Sequence, residues 1–114
     1  MQPMKQPSKD KMSLELRRGV LVLAVLASLN EAHYGYSLRQ QLQGVGIEID
    51  EGTLYPLIRR LADQGLLNSE WKQANGRERR YYQLSDTGRV ILQQLTEEWA
   101  QLNSAVSPLL RTRG

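Results

Sequence analysis

The chain has 114 residues and a net charge of +3, from 15 Lys and Arg against 12 Asp and Glu. Leu, Ile and Val together supply 29 residues, enough for an aliphatic core and too many for a chain disordered throughout. The absence of Cys excludes disulfides, a thiolate nucleophile and Cys-ligated zinc, and a single His gives no basis for a His-based metal site, so no cofactor is expected.

Residues 1–12 are polar, include Pro3 and Pro7 and carry a net +2, which predicts a flexible basic arm. Ser13 is placed to cap a helix that runs to about Leu29. Residues 20–26 of this helix are apolar on every side and must be covered on every side. One short domain hardly achieves that alone, so Val20 and Leu23 are assigned to contact with a second subunit. The apolar run 19–29 spans 11 residues, short of the roughly 17–25 that cross a bilayer. Asn30 and Glu31 follow where the small residues of a signal-peptide cleavage site belong, so a soluble, cytoplasmic protein without membrane contact is expected.

A turn over residues 30–35 leads to a second helix, residues 36–43, with Leu38 and Leu42 inward at i, i+4. Gly44-Val45-Gly46 ends it, and the alternation Ile47-Glu48-Ile49 predicts a short extended link. Residues 50–64 read as a third helix closed by Gly65, with Pro56 blurring its start because proline is best tolerated in a first turn. The period then drops from about 3.6 to about 2. Residues 68–72 and 79–84 alternate as two strands, joined by residues 73–78 with Asn75-Gly76 as the turn signal. Ser85 caps a fourth helix over residues 86–107, roughly 33 Å long, which Pro108 is expected to stop. The fold class is mainly α with a small β-hairpin. Three helices followed by a two-stranded hairpin are the layout of a winged helix-turn-helix, so residues 13–85 are expected to be a DNA-binding domain of that kind and residues 86–114 a C-terminal dimerisation helix with its tail.

On a helical wheel, Leu54, Leu57, Ile58 and Leu61 of the third helix share one face, and Thr53, Tyr55, Pro56, Arg59, Arg60 and Asp63 share the other. An ordinary amphipathic helix explains this split by itself. The hairpin changes the balance, because it carries Arg77, Arg79 and Arg80, with Lys72 opposite. Residues 53–84 hold six basic and three acidic side chains, whereas residues 13–52 hold three and five. Guanidiniums fork onto guanine edges or phosphates, and phenols and hydroxyls bond either, so the helix-plus-hairpin unit has the chemistry of a DNA contact surface. The assigned contacts are Tyr36, Thr53, Tyr55, Pro56, Arg59, Arg60, Lys72, Arg77, Arg79 and Arg80. Tyr36, which opens the second helix, serves either a phosphate or local packing. Trp71 is expected in the core beneath the hairpin, and His33 in a turn as a solvent-facing group or a local hydrogen-bond partner.

On the fourth helix, Gly88, Leu92, Leu95, Trp99, Leu102 and Val106 follow one another at spacings of 4, 3, 4, 3 and 4. That is the a/d seam of a helix packed on another helix. With Val20 and Leu23, the residues Leu92, Leu95, Trp99, Leu102 and Val106 are assigned to a homodimer interface. Gly88 reads as a close-packing site. Across a two-fold axis Trp99 would lie near its own copy, and the two indoles either stack as simple dimer core or leave a slot for a planar apolar molecule. The residues offer no nucleophile–base pair, no phosphate-cradling glycine loop and no metal cluster, so an enzyme is not expected.

Gly35-Tyr36-Ser37-Leu38, Gly52-Thr53-Leu54-Tyr55-Pro56-Leu57-Ile58-Arg59-Arg60-Leu61, Gln64-Gly65-Leu66-Leu67, Ser69-Glu70-Trp71 and Gly76-Arg77-Glu78-Arg79-Arg80-Tyr81-Tyr82-Gln83-Leu84 resemble the PadR family of transcriptional regulators. The resemblance runs from about Leu16 into the last helix. Glu78 departs from it, standing where the family often has Pro. The resemblance implies a homodimeric repressor with a winged helix-turn-helix and a C-terminal dimerisation helix and, from some of the family's small members, a planar, often cationic, drug-like molecule at the dimer interface. A two-fold dimer presents two third helices, so the expected partner is double-stranded DNA bearing an inverted repeat. A second reading is a dimerising winged-helix module that binds protein or RNA without a ligand. Sequence-preferring, salt-dependent duplex binding separates the two.

Overall fold

A computed structural model describes residues 9–111. Within them the chain forms α1 (Lys9–Ser28), α2 (Gly35–Gly44), α3 (Glu51–Asp63), β1 (Leu67–Ala74), β2 (Arg77–Leu84) and α4 (Asp86–Leu110). The architecture is therefore helical with one antiparallel hairpin, the winged helix-turn-helix followed by a long helix that the sequence predicts.

Several boundaries differ from the sequence reading. α1 is already helical at Lys9, so Ser13 lies inside it rather than capping it. Residues 9–16 contain no Gly or Pro, and Asp10 sits in the first turn, where a carboxylate meets the positive end of the helix. The expected flexible arm thus loses residues 9–12 to α1, and its remainder, residues 1–8, lies outside the described residues. Pro108 does not stop α4, which continues to Leu110. The imide costs one backbone bond within the last turn, and the Arg111 amide still reaches the Ser107 carbonyl at 3.2 Å, so the helix passes through it. Pro56 likewise stands inside α3, and the i→i−4 bond it cannot make would have gone to the Gly52 carbonyl on an exposed first turn.

The core is aliphatic. Val25, Leu26 and Leu29 of the α1 end pack with Leu38 and Leu42 of α2, Leu54, Leu57, Ile58 and Leu61 of α3, and Leu67 and Leu84 at the hairpin base. No polar or charged side chain is buried among the described residues. Burying each Leu or Ile contributes about 1.5–3 kcal/mol. The ion pairs Arg18–Glu15, Arg39–Glu51 and Lys72–Glu70 are exposed and contribute at most about 1 kcal/mol apiece. Packing, not charge pairing, holds the helices together.

The hairpin is tighter than its sequence suggests. Asn75 and Gly76 both take positive φ, 54° and 76°, the two-residue turn whose twist matches the strands, so the expected six-residue connection shrinks to two. A third edge strand one residue long joins the sheet: the His33 amide donates to the Tyr82 carbonyl at 3.0 Å, and the Tyr82 amide donates to the His33 carbonyl at 2.8 Å. This anchors the turn before α2 to the wing.

α4 starts where expected. The Ser85 hydroxyl accepts from the Gly88 amide at 3.0 Å, a side-chain N-cap. Gly88 is buried, and a Cβ built there would collide with the Leu66 carbonyl oxygen. It is a close-packing site and not the first position of an exposed seam. The seam itself divides. Leu92 and Leu95 pack against the chain's own core, whereas Trp99, Leu102 and Val106 are exposed.

Gly88→Ala is expected to destabilise the fold by roughly 1–3 kcal/mol, since the obstructing atom is backbone and cannot turn aside. Gly44→Ala, where a Cβ meets nothing within 4 Å, is the control. Thermal melts at equal protein concentration should place the first several degrees below wild type and the second close to it.

Candidate nucleic-acid interface

α2, residues 45–50 and α3 form the helix-turn-helix. Ser37 steadies the start of α2, its hydroxyl accepting from the Tyr34 amide at 3.1 Å and lying 3.0 Å from His33 Nδ1. His33 is thus half-buried and locally hydrogen-bonded, one of its two expected roles. A Cβ on Gly35 would come within 2.5 Å of the Tyr55 ring, so the absence of a side chain there lets Tyr55 of α3 lie over the α2 start. Two arginines outside the expected contact set fasten the linker. Arg17 donates to the Glu48 carbonyl at 2.7 Å, and Arg39 donates to the Ile49 carbonyl at 3.2 Å while meeting the Glu51 carboxylate at 3.3 Å. These bonds fix the point where α3 begins.

α3 buries Leu54, Leu57, Ile58 and Leu61 and exposes Thr53, Tyr55, Pro56, Arg59, Arg60 and Asp63, the division that helical periodicity predicts. The Thr53 hydroxyl donates to Asp50 Oδ1 at 2.8 Å. That bond, with backbone amides of the first turn, holds the exposed Asp50 carboxyl below its ordinary range.

The hairpin carries a different cluster on each face, as strand alternation requires. On one, Trp71 stands opposite Arg80 in register. The Arg80 guanidinium lies 5.8 Å from the Trp71 ring centroid and 5.6 Å from that of Tyr82, and its Nε donates to Ser69 Oγ at 3.1 Å. On the other, Arg79 lies 5.1 Å from the Tyr34 ring centroid, Tyr34 meets Tyr81 edge-on at 5.2 Å, and the Lys72 ammonium is 5.2 Å from the Tyr81 centroid and 3.6 Å from Glu70. Arg79 is half-buried, and its Nε is enclosed without a hydrogen-bond partner. Between α3 and the wing runs a cleft of about 310 Å³, bordered by Tyr36, Tyr55, Arg59, Trp71, Arg79 and Arg80, with Glu78 its single acid.

A family model described as the transcriptional regulator PadR-like family matches residues 22–94. The chain belongs to that family. It is 41% identical over 80 residues to the transcriptional regulator Rv3488 of Mycobacterium tuberculosis, spanning 68% of this chain and 74% of the relative. The crystal structure of a PadR family transcriptional regulator from Eggerthella lenta is similar at a TM-score of 0.82 and 46% identity, covering 91% of this chain and 93% of that one. A PadR-like transcriptional regulator from Bacillus cereus matches at 0.79 and 29% identity, over 87% and 99%.

In this PadR-like transcriptional regulator, five of the ten expected contacts border one cleft: Tyr36, Tyr55, Arg59, Arg79 and Arg80. Thr53, Pro56 and Arg60 are exposed on α3 beyond it, Arg77 is exposed at the wing tip, and Lys72 is engaged with Glu70 and Tyr81. Tyr36 is exposed, its hydroxyl accepting from Gln40 at 3.1 Å. Trp71 is the main correction. It is not beneath the wing but 59% exposed. Of the hairpin only the base, at Leu67 and Leu84, is buried in the core, and Trp71 lies four residues further out along β1. Tyr34 and Arg39 carry no sequence signal beyond their residue types, and Tyr82 lies in the PadR-like Tyr81-Tyr82-Gln83-Leu84 run without a contact assigned to it. Among the described residues no group of three or more His, Cys, Asp or Glu is placed to hold a metal ion, and no helix is long and apolar enough to cross a membrane.

Thr53→Val should raise the Asp50 pKa back toward the ordinary aspartate range, read by carbon-detected NMR titration. The sign follows from linkage. A depressed folded pKa contributes stability above the unfolded value near 3.9, and that contribution fades as pH falls through the folded pKa. The variant should therefore show a shallower loss of stability on acidification.

Proposed function

We propose that this regulator binds double-stranded DNA as a homodimer, with each α3 in the major groove of one half of an inverted repeat and each wing on the flanking backbone. The observation that carries the reading is the α3–wing cleft, where Arg59 and Tyr55 of the exposed α3 face stand across from Arg79 and Arg80. The major groove, about 12 Å wide, admits a helix, and a basic hairpin beside it straddles the phosphate ridge. Arg59, Arg60 and Tyr55 then address base edges. Thr53 and Pro56 approach at the α3 start, and Tyr36, Lys72, Arg77, Arg79 and Arg80 hold phosphates.

The dimer reading is supported by an apolar groove of about 340 Å³ between α1 and α4, bordered by Leu16, Val20, Leu23, Leu95, Trp99 and Leu102. Trp99 is 45% and Leu102 53% exposed, with Val106 beyond them on the same helix, and a second copy's α4 would cover this stripe. In such a dimer two Trp99 indoles approach one another, and a planar, often cationic, molecule between them is the proposed effector. Ring faces attract a cation by about 0.5–2 kcal/mol, and Glu98 beside the groove adds charge. Repression, released when the effector alters the spacing of the two α3 helices, follows the family resemblance.

The test combines selection of duplexes from a random pool with anisotropy titrations on the enriched site. Arg59→Ala should lose roughly 1–3 kcal/mol and relax preference at particular base pairs, whereas Arg77→Ala should weaken all duplexes alike and lower the salt slope by about one. Leu102→Glu should convert a species of twice the 13.0 kDa chain mass in sedimentation into a monomer or an insoluble chain. Enrichment of no sequence, with tighter binding to RNA than to duplex, would favour the interaction-module reading instead.

A further inference from the structure

Trp71 is the exposed aromatic that the contact set above leaves without a task. An indole is large and apolar, and in a small helical domain it ordinarily joins the core. Here it stands on the wing face that borders the α3 cleft, opposite Arg80. Arg80 is held in place by two rings and by the bond from its Nε to Ser69, which leaves its two amino groups outside that contact. Cross-strand pairing stabilises a hairpin whichever face carries the pair. It gives no reason for the indole to border the cleft that holds Tyr55 and Arg59.

We infer that Trp71 is a DNA-contacting residue of the wing, its indole packing on a deoxyribose and the adjoining base edge of the groove next to the one α3 occupies, while Arg80 forks onto the phosphate beside that sugar. This rests on the duplex-binding reading above. The chemistry matches in alternation: a nucleic-acid strand presents an apolar sugar and base between charged phosphates, and the wing presents an indole beside an oriented guanidinium. Packing on a deoxyribose tolerates any sequence because every nucleotide carries the same sugar. A charge-assisted, bidentate arginine–phosphate pair fixes the register. Trp71 therefore adds affinity on all duplexes, and its contribution is insensitive to salt, unlike that of Arg77 or Arg80.

The full chain is titrated with a labelled duplex carrying the selected site and with one of unrelated sequence. Wild-type tryptophan emission should change on saturation, and the change should be clearly smaller in Trp71→Phe, where only Trp99 reports. Trp71→Ala should bind both duplexes about tenfold more weakly with an unchanged salt slope, while Trp71→Phe stays within about threefold of wild type. Arg80→Ala should lower the salt slope by about one. Melting curves of each variant ensure that titrations are run on folded protein.

Three results would overturn the inference: Trp71→Ala binding within about twofold of wild type, an emission change as large in Trp71→Phe, where only Trp99 reports, as in wild type, or a Trp71→Ala salt slope reduced like that of Arg80→Ala. The last would make the indole a support for the guanidinium and not a contact. Tenfold tighter binding of a single strand than of duplex, lost in Trp71→Ala, would assign the indole to unpaired nucleic acid and likewise overturn it. Failure of the wild type to bind any duplex would defeat the underlying DNA reading, an outcome distinct from all of these.

Discussion

The Leu66 carbonyl marks the point where four elements are tied together. It accepts the Ser85 amide at 2.9 Å, and the Gly88 Cα packs so closely on it that no side chain fits between. The Ser85 hydroxyl donates to the Gly65 carbonyl at 2.6 Å while accepting from the Gly88 amide, and the Leu84 amide reaches the Leu29 carbonyl at 2.8 Å. The end of α3, both ends of the hairpin, the start of α4 and the turn after α1 thus meet within a few residues. Close-packed junctions of this kind transmit displacement and do not absorb it. A tilt of α4 must move α3 or the wing base. The proposed dimer contacts lie on the far half of α4 and the proposed DNA contacts on α3 and the wing, so this junction is the physical link between them.

The arginines of the interface are not equivalent, and their differences come from packing. Arg17 and Arg39 carry charge yet serve the linker, so counting basic residues overstates the contact surface. Arg79 sits half-buried against Tyr34 with its Nε enclosed and unpaired, an uncommon condition for a strong donor. Arg80 is oriented by rings. Arg59, Arg60 and Arg77 are exposed. Cation–π contacts at such sites contribute only about 0.5–1 kcal/mol each. Their value here lies in presenting guanidiniums at fixed angles on a hairpin that has no core of its own.

Much of this was legible in the sequence because the signals were periodic. Four leucine-type residues at helical spacing marked the buried face of α3 and therefore its exposed face. Asn75-Gly76 announced the turn, although the six-residue connection proved to be two. Elements without periodicity were missed. His33 makes its strand with a single residue, for which no alternation exists. Trp71 alternates correctly, but the half-buried residues Arg79, Tyr81 and Tyr82 fall on both faces of the wing, so alternation alone does not say which side is inside. Residue type marks Ser13 as a helix start and Pro108 as a stop, yet residues 9–12 hold no breaker and α1 already begins at Lys9, and a proline at the third-last position of α4 is tolerated. The a/d spacing of α4 was real, but a single chain's core claimed its first half.

What remains for a second copy is the second half, Trp99, Leu102 and Val106, together with the exposed side of α1. If α4 sets the relation between two protomers and the Leu66 junction fixes α3 to α4, the separation of the two α3 helices is set by how the two α4 helices pack. Hydroxyl-radical footprinting of the selected duplex measures that separation on the DNA itself. Two symmetric protected patches on one face of the duplex, their centres about one helical turn of ~34 Å or a multiple of it apart, are expected. A single unsymmetrical patch, or protection that follows no sequence, would contradict a two-fold dimer presenting two α3–wing surfaces.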